Sequence, residues 1–143
     1  MIITKETDYA LRILRVLLDG EKHSVAEMSE TELIPNQFAY QILRKLSAGN
    51  LVQVSRGALG GCALSCDLDA TSLYDLMGVM GERGVLCACM EPGYECRWQD
   101  EHGRCAIHCQ LTALQRKQDE AFRAVSLRRL LTGGSDPQDT SEL

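Results

Sequence analysis

The sequence predicts a mainly α fold: a winged helix-turn-helix with a two-stranded wing, followed by a long C-terminal dimerisation helix. Three observations carry this. Apolar residues recur at helical spacing in three early segments, each with a start or stop signal. Two short apolar runs then flank the glycine-rich turn Arg56-Gly57-Ala58-Leu59-Gly60-Gly61. Finally, Ile107, Leu111, Leu114, Ala121 and Val125 form a coiled-coil-like stripe near the end.

Taken in order, Thr4 to Leu18 is dense in apolar positions (Ala10, Leu11, Ile13, Leu14, Leu17, Leu18) and stops at Asp19-Gly20, giving a mostly buried first helix. Ser24-Val25-Ala26-Glu27 is a capping box, in which serine and glutamate each satisfy a free backbone amide. It opens a short second helix to about Glu30. Ile34-Pro35 opens a third, with proline where its missing N–H costs nothing. Phe38, Ile42, Leu43 and Leu46 are expected on its apolar face, and Gly49 stops it. Leu51 to Val54 alternates like a strand and Ala63-Leu64 returns as the second. Ser72 to about Gly81 reads as a fourth helix with Ser72 as its cap. The expected organisation is a DNA-binding unit at 1–82, a cysteine-rich loop at 83–106, a dimerisation helix at 107–131 and a disordered tail at 132–143. Ser126-Leu127 is a candidate break before a last turn at Leu130-Leu131.

The net charge of −5 looks wrong for a nucleic-acid partner until it is located. Residues 1–66 hold seven basic and seven acidic side chains, so the whole excess lies in the second half. From Leu33 to Cys66 there is no acid, while Arg44, Lys45 and Arg56 are positive. Local sign governs phosphate attraction, which salt screens beyond about 10 Å. The first residues carry charges where a secretion signal needs an apolar run, and no stretch approaches a membrane span. A cytoplasmic protein away from membranes is expected. In that reducing setting the seven cysteines, an odd number, read as metal ligands, redox groups or small core residues rather than a disulfide scaffold.

Two groups of residues carry chemistry. The N-terminal part of a recognition helix meets base edges in the major groove. Asn36, Gln37, Tyr40, Gln41 and Arg44 are the candidates there, with Lys45 more suited to phosphate. Arg56 at the wing tip suits the negative potential of a narrow minor groove. The second group is Cys89, Cys96, Cys105 and His108 on a polar, glycine-containing loop, the soft donor set that a transition metal or iron–sulfur cluster requires. His108 follows Cys105 as Cys-x-x-His, one helical turn on. Cys87 is a possible substitute for Cys89, and Cys109 for His108. Zinc is the alternative metal, because three thiolates and an imidazole satisfy its tetrahedral shell. Cys62 and Cys66 lie with the wing and read as structural; His23 and His102 sit in polar loops with no chemical role assigned.

The chain resembles the IscR/NsrR/RirA family of winged-helix transcriptional regulators over about residues 1–131. The resemblance rests on Thr4-Lys5-x-x-Asp8-Tyr9-Ala10-Leu11-Arg12, on Ile34-Pro35-x-x-Phe38-x-x-Gln41-Ile42-Leu43-x-x-Leu46, on the wing Arg56-Gly57-x-x-Gly60-Gly61 and on the late cysteines. Cys62 departs from an aromatic residue usual after the paired wing glycines, Ala39 replaces a larger aliphatic, and the cysteines are more widely spaced than in the best-known members. The resemblance implies Cys89, Cys96 and Cys105 as cluster ligands with His108 as the fourth, and Asp8 as a position that supplies a carboxylate from the partner subunit in an NsrR-type member. It implies a homodimer on a double-stranded DNA operator: a repressor whose affinity is set by an iron–sulfur cluster (2Fe-2S or 4Fe-4S) sensing redox, nitric oxide or iron status. The alternative is a cluster-free or zinc-stabilised regulator answering to a small molecule or partner protein. The sequence contains no glycine-rich cofactor loop, paired acid/base carboxylates or nucleophile motif, so an enzyme is not expected.

Overall fold

The computed structural model describes residues 2–134. Helix α1 (Lys5–Val16) starts at Thr4, whose hydroxyl accepts the Glu6 N–H at 3.2 Å, and runs into a 3-10 turn closed by Gly20. Helix α2 (Val25–Glu32) opens on the reciprocal Ser24/Glu27 box. It ends on Leu33, a leucine in left-handed backbone at φ 55°, which costs an L-residue roughly 1 kcal/mol. Helix α3 (Asn36–Ala48) follows Pro35 and stops at Gly49. Strands β1 (Val52–Ser55) and β2 (Gly61–Leu64) pair antiparallel, Val54 opposite Cys62. Helix α4 (Leu73–Met80) carries a second capping box, Ser72/Asp75. The first four helices and the wing therefore form where caps, glycines and apolar spacing place them.

One side chain changes faces. Phe38 is 45% exposed and Ala39 takes its place in the core. The inward stripe of α3 is Ala39, Ile42, Leu43 and Leu46, spaced 3, 1 and 3, and Phe38 falls about 100° off it. Instead it lies against Tyr9, ring centroids 6.2 Å apart.

The core is assembled from Ile13, Leu14 and Leu17, Met28, Ile42 and Leu46, and Leu76, all essentially solvent-free. A contributor from the far end of the chain joins them. Helix α6 (Ala106–Arg123) breaks at Ala124–Ser126, and the short helix α7 (Leu127–Thr132) turns back so that Leu127 is fully buried with α1 and α4. Backbone bonds fix the return: Leu73 N–H to the Val125 carbonyl (2.9 Å), Leu127 N–H to Thr71 (2.8 Å) and Arg128 N–H to Leu68 (3.0 Å). The break expected at Ser126-Leu127 is present, and it delivers the last helix to the DNA-binding unit. Thr132 closes α7 and Gly133 caps it, so order runs past residue 131. The rest of the expected disordered tail, 135–143, lies outside the described residues.

The segment expected as an open loop contains a 3-10 turn at Ala88–Met90 and a two-turn helix, α5 (Arg97–His102), held by the Arg97–Glu101 pair at 2.9 Å. Two opposed faces define α6. His108, Thr112, Gln115 and Asp119 recur on one side, where Gln115 is buried. Ile107 (72% exposed) and Leu114 (54%) stand on the other, largely open to solvent. Between α4 and α6 the Tyr74 ring receives the guanidinium groups of Arg83 and Arg123, at 4.0 and 3.9 Å from its centroid.

The wing is tied down at its root. His23 and Cys62 exchange both backbone bonds (3.0 and 2.8 Å), adding a third short rung beside β2. The His23 ring reaches Asp19 at 2.7 Å and Glu27 at 3.3 Å, and the hydrogen bond to Asp19 raises its pKa above the ordinary value.

Two outcomes follow from these contacts. Leu127→Ala is expected to cost about 2–5 kcal/mol, the usual price of emptying a fully buried leucine site, read as a urea midpoint at fixed protein concentration. An unchanged midpoint would detach α7 from the core. For His23, a raised folded pKa means the stabilisation is complete below the unfolded value near 6.5 and is lost as pH rises through the folded one. NMR titration should place His23 above that reference, and Asp19→Asn should bring it down.

Candidate functional site

Helix α3 presents Asn36, Gln37, Tyr40, Gln41 and Arg44 to solvent in one continuous outer strip, because the four buried apolar positions hold its other side against α1 and α2. Lys45, one residue further round, is half-buried. Its ammonium pairs with Glu6 of α1 and reaches the Met80 carbonyl at 3.4 Å. That contact holds three helices together and turns the charge away from the outer strip.

The basic residues of this half separate cleanly. Arg12 pairs with Asp8 at 3.0 Å, and Arg15 grips the buried Glu32 carboxylate with two N–H groups. Arg44 and Arg56, by contrast, are exposed and make no ion pair among the described residues. Arg56 opens the wing turn, with Leu59 at its tip 91% exposed. Unpaired guanidinium groups on the outer helix face and on the wing are what a polyanion would meet first.

The cysteine region converges on the start of α6. Cys105 is the N-cap residue, its sulfur accepting the His108 N–H at 3.5 Å. One turn in, the His108 Nδ1 lies 3.4 Å from Cys89 Sγ. Cys87 Sγ is 3.5 Å from Cys89 Sγ on the other side. Donors sharing one ion at about 2.0–2.3 Å stand roughly 3.5 Å apart, a separation met by the Cys89–His108 pair and by the Cys87–Cys89 pair. The Cys89 thiol donates to Cys87, and that bond, with burial and then the neighbouring Cys96 and Cys105, raises its pKa. Cys87 is shifted the other way, chiefly by the Cys89 N–H. All seven thiols are free, and among the described residues no three donors close into a metal-holding group. The donor set thus suits a soft metal centre by its chemistry: free thiols and an imidazole at the mouth of a loop, brought together pairwise.

The alternatives fall in different places. The Cys109 sulfur accepts from Arg104 Nε at 3.1 Å rather than facing Cys89. Asp8 is bound to Arg12 on its own helix. Cys62 is buried beneath the wing with its thiol pushed up to about 11 by burial, and burial also raises Cys66, in keeping with structural roles.

Two residues were not singled out from the sequence. The buried Gln115 accepts the Leu86 N–H at 2.8 Å and donates to Asp119 at 2.9 Å, holding the entry of the cysteine segment. Its spacing of two turns from His108 was the available signal. Glu82, just past α4, accepts the hydroxyls of Thr4 and the buried Thr7 of α1. Nothing local in the sequence announced that contact.

Residues 3–133 match the Rrf2 family, described as iron-dependent transcriptional regulators. Protein aau3 of Rhizobium meliloti (strain 1021) is 31% identical over 125 residues, spanning 85% of this chain and 77% of that protein. Among solved structures, T. potens IscR superposes with a TM-score of 0.67 at 15% identity, covering 95% of this chain and 90% of the other. CymR of B. subtilis, the global cysteine regulator, gives 0.66 at 20% identity, covering 93% and 98%. At those identities the structural likeness speaks to the fold. With the winged helix-turn-helix in place and the match running nearly end to end, the chain belongs to the Rrf2 family of transcriptional regulators, and its role is regulatory rather than catalytic.

Proposed function

We propose that the chain is a homodimeric, sequence-specific repressor of the IscR/NsrR/RirA type, acting in the cytoplasm on a double-stranded operator through an affinity set by an iron–sulfur cluster on Cys89, Cys96, Cys105 and His108. The observation that carries this reading is the meeting of Cys89 with His108, which ties the cysteine segment to α6. When bound, a cluster (2Fe-2S or 4Fe-4S) supplies a centre reactive towards oxidants and nitric oxide and dependent on iron supply.

The chain's own residues connect that segment to DNA. Gln115 holds Leu86, Glu82 holds Thr4 and Thr7 of α1, and the Met80 carbonyl holds Lys45 of α3. Any rearrangement of residues 83–105 therefore acts on a stretch bonded to two of the three helices that shape the recognition surface. A coupling of about 1–3 kcal/mol changes affinity roughly 5- to 150-fold. The outer α6 stripe at Ile107 and Leu114 supports a two-fold partner. That partner would set two recognition helices on half-sites about 34–36 Å apart. Asn36, Gln37, Tyr40, Gln41 and Arg44 read bases in this scheme, Arg56 enters the minor groove, and Lys45 braces the helix from behind. In the second reading, three thiolates and one imidazole hold zinc. Residues 83–106 then become a staple, and the effector is a small molecule or a partner protein.

Iron, sulfide and zinc content with an absorption spectrum, on protein purified without oxygen, separates the two. Stoichiometric iron and sulfide are expected; zinc with no iron after reconstitution overturns the cluster. Cys89→Ser and His108→Ala should lose the metal while Cys109→Ser and Cys62→Ser retain it, and equal retention by all four would remove the assigned ligands. On DNA, Arg56→Ala is expected to weaken binding across sequences and to lower the slope of log affinity against log salt by about 1, whereas Gln41→Ala should change which bases are preferred.

A further inference from the structure

The tip of the wing carries a side chain for which attraction to phosphate gives no account. Leu59 is 91% exposed, three residues from the unpaired Arg56. It does not hang on a slack loop. The Gly60 N–H donates to the Gly57 carbonyl at 2.9 Å, and a Cβ on Gly60 would sit 2.5 Å from the Ser55 carbonyl oxygen. Only glycine fits that closure, while Gly57 at φ 102° makes the preceding turn. Below the tip, the paired strands are rooted by Cys62 and its two bonds to His23. The result is a narrow, closed finger ending in a leucine that almost nothing among the described residues covers.

We propose that Leu59 is an apolar wedge that enters the minor groove of double-stranded DNA beside Arg56 and partly unstacks one base step. The inference rests on the reading of the chain as a DNA-binding regulator and adds a specificity-determining residue to it. DNA is the occupant that the surroundings favour: the tip is flanked by an unpaired arginine, and residues 33–66 contain no carboxylate. Minor-groove proteins insert leucine, phenylalanine or isoleucine in this manner, and flexible pyrimidine–purine steps yield most easily. A leucine therefore reads deformability where Arg56 reads charge, and it has no hydrogen bonds with which to read base identity.

The test is site selection from a random duplex library with the full chain purified without oxygen, for the wild type, Leu59→Ala and Leu59→Met. Because the side chain is almost wholly exposed, these variants keep the folded core. The wild type and Leu59→Met should enrich TA or CA/TG steps at the two wing positions flanking the half-sites. Leu59→Ala should keep the half-site sequence, lose the step, and bind the wild-type duplex roughly tenfold more weakly. 2-Aminopurine placed in that step should brighten on wild-type binding and stay dark with Leu59→Ala. If Leu59→Ala selects the same step, binds within twofold and gives the same fluorescence, the wedge is wrong and DNA binding stands. If it instead shifts the oligomeric state without touching DNA affinity, the tip is a contact between copies and the proposal falls. If the wild type enriches no sequence, the regulator reading fails along with it.

Discussion

The arrangement depends on one carboxylate. Glu82 stands immediately past α4 and accepts from the hydroxyls that begin α1, Thr4 and the buried Thr7. A negative charge at that helix end meets the partial positive charge of unpaired backbone N–H groups, so the contact is favourable twice over. Two residues earlier, the Met80 carbonyl receives the Lys45 ammonium from α3. Four residues later, Leu86 donates to Gln115 of α6. Seven residues of backbone thus touch three helices that are remote from one another in sequence.

That geometry explains why the two halves of the chain are not independent modules. The sequence divides near residue 82, between the helix that follows the wing and the cysteine segment. The folded chain does not divide there. Leu127 packs beside α1 and α4, and at the α4 entrance the Val125 carbonyl accepts the Leu73 N–H while the Thr71 carbonyl accepts that of Leu127. The C-terminal helices are therefore part of the scaffold that aims α3.

Legibility in the sequence followed the range of the interactions. The helix starts at Ser24 and Ser72 and the stop at Gly49 were readable, since a cap is a contact between residues two to four apart. The wing was readable from glycines that a turn requires. The donors Cys89 and His108 were readable as residue types, and folding does bring them together across 19 positions. The face of Phe38 was misjudged because an aromatic ring was counted as core when the helix phase favours the small Ala39. Glu82, Gln115 and the return of α7 were beyond reach: each depends on partners tens of residues away, and nothing in a local pattern encodes them.

The burial of Cys62 has a chemical corollary. Its thiol ionises only near 11 and lies sealed under the wing, while Cys66, Cys87, Cys89, Cys96, Cys105 and Cys109 are all partly open to water. Thiolate-seeking electrophiles such as iodoacetamide act at rates set by ionisation and access. One polypeptide therefore holds a single sealed thiol beneath the wing and a set of accessible ones, most of them in or beside the cysteine segment. The slow one serves as a clock for global opening, and the fast ones report whatever occupies or vacates the segment while the wing stays closed.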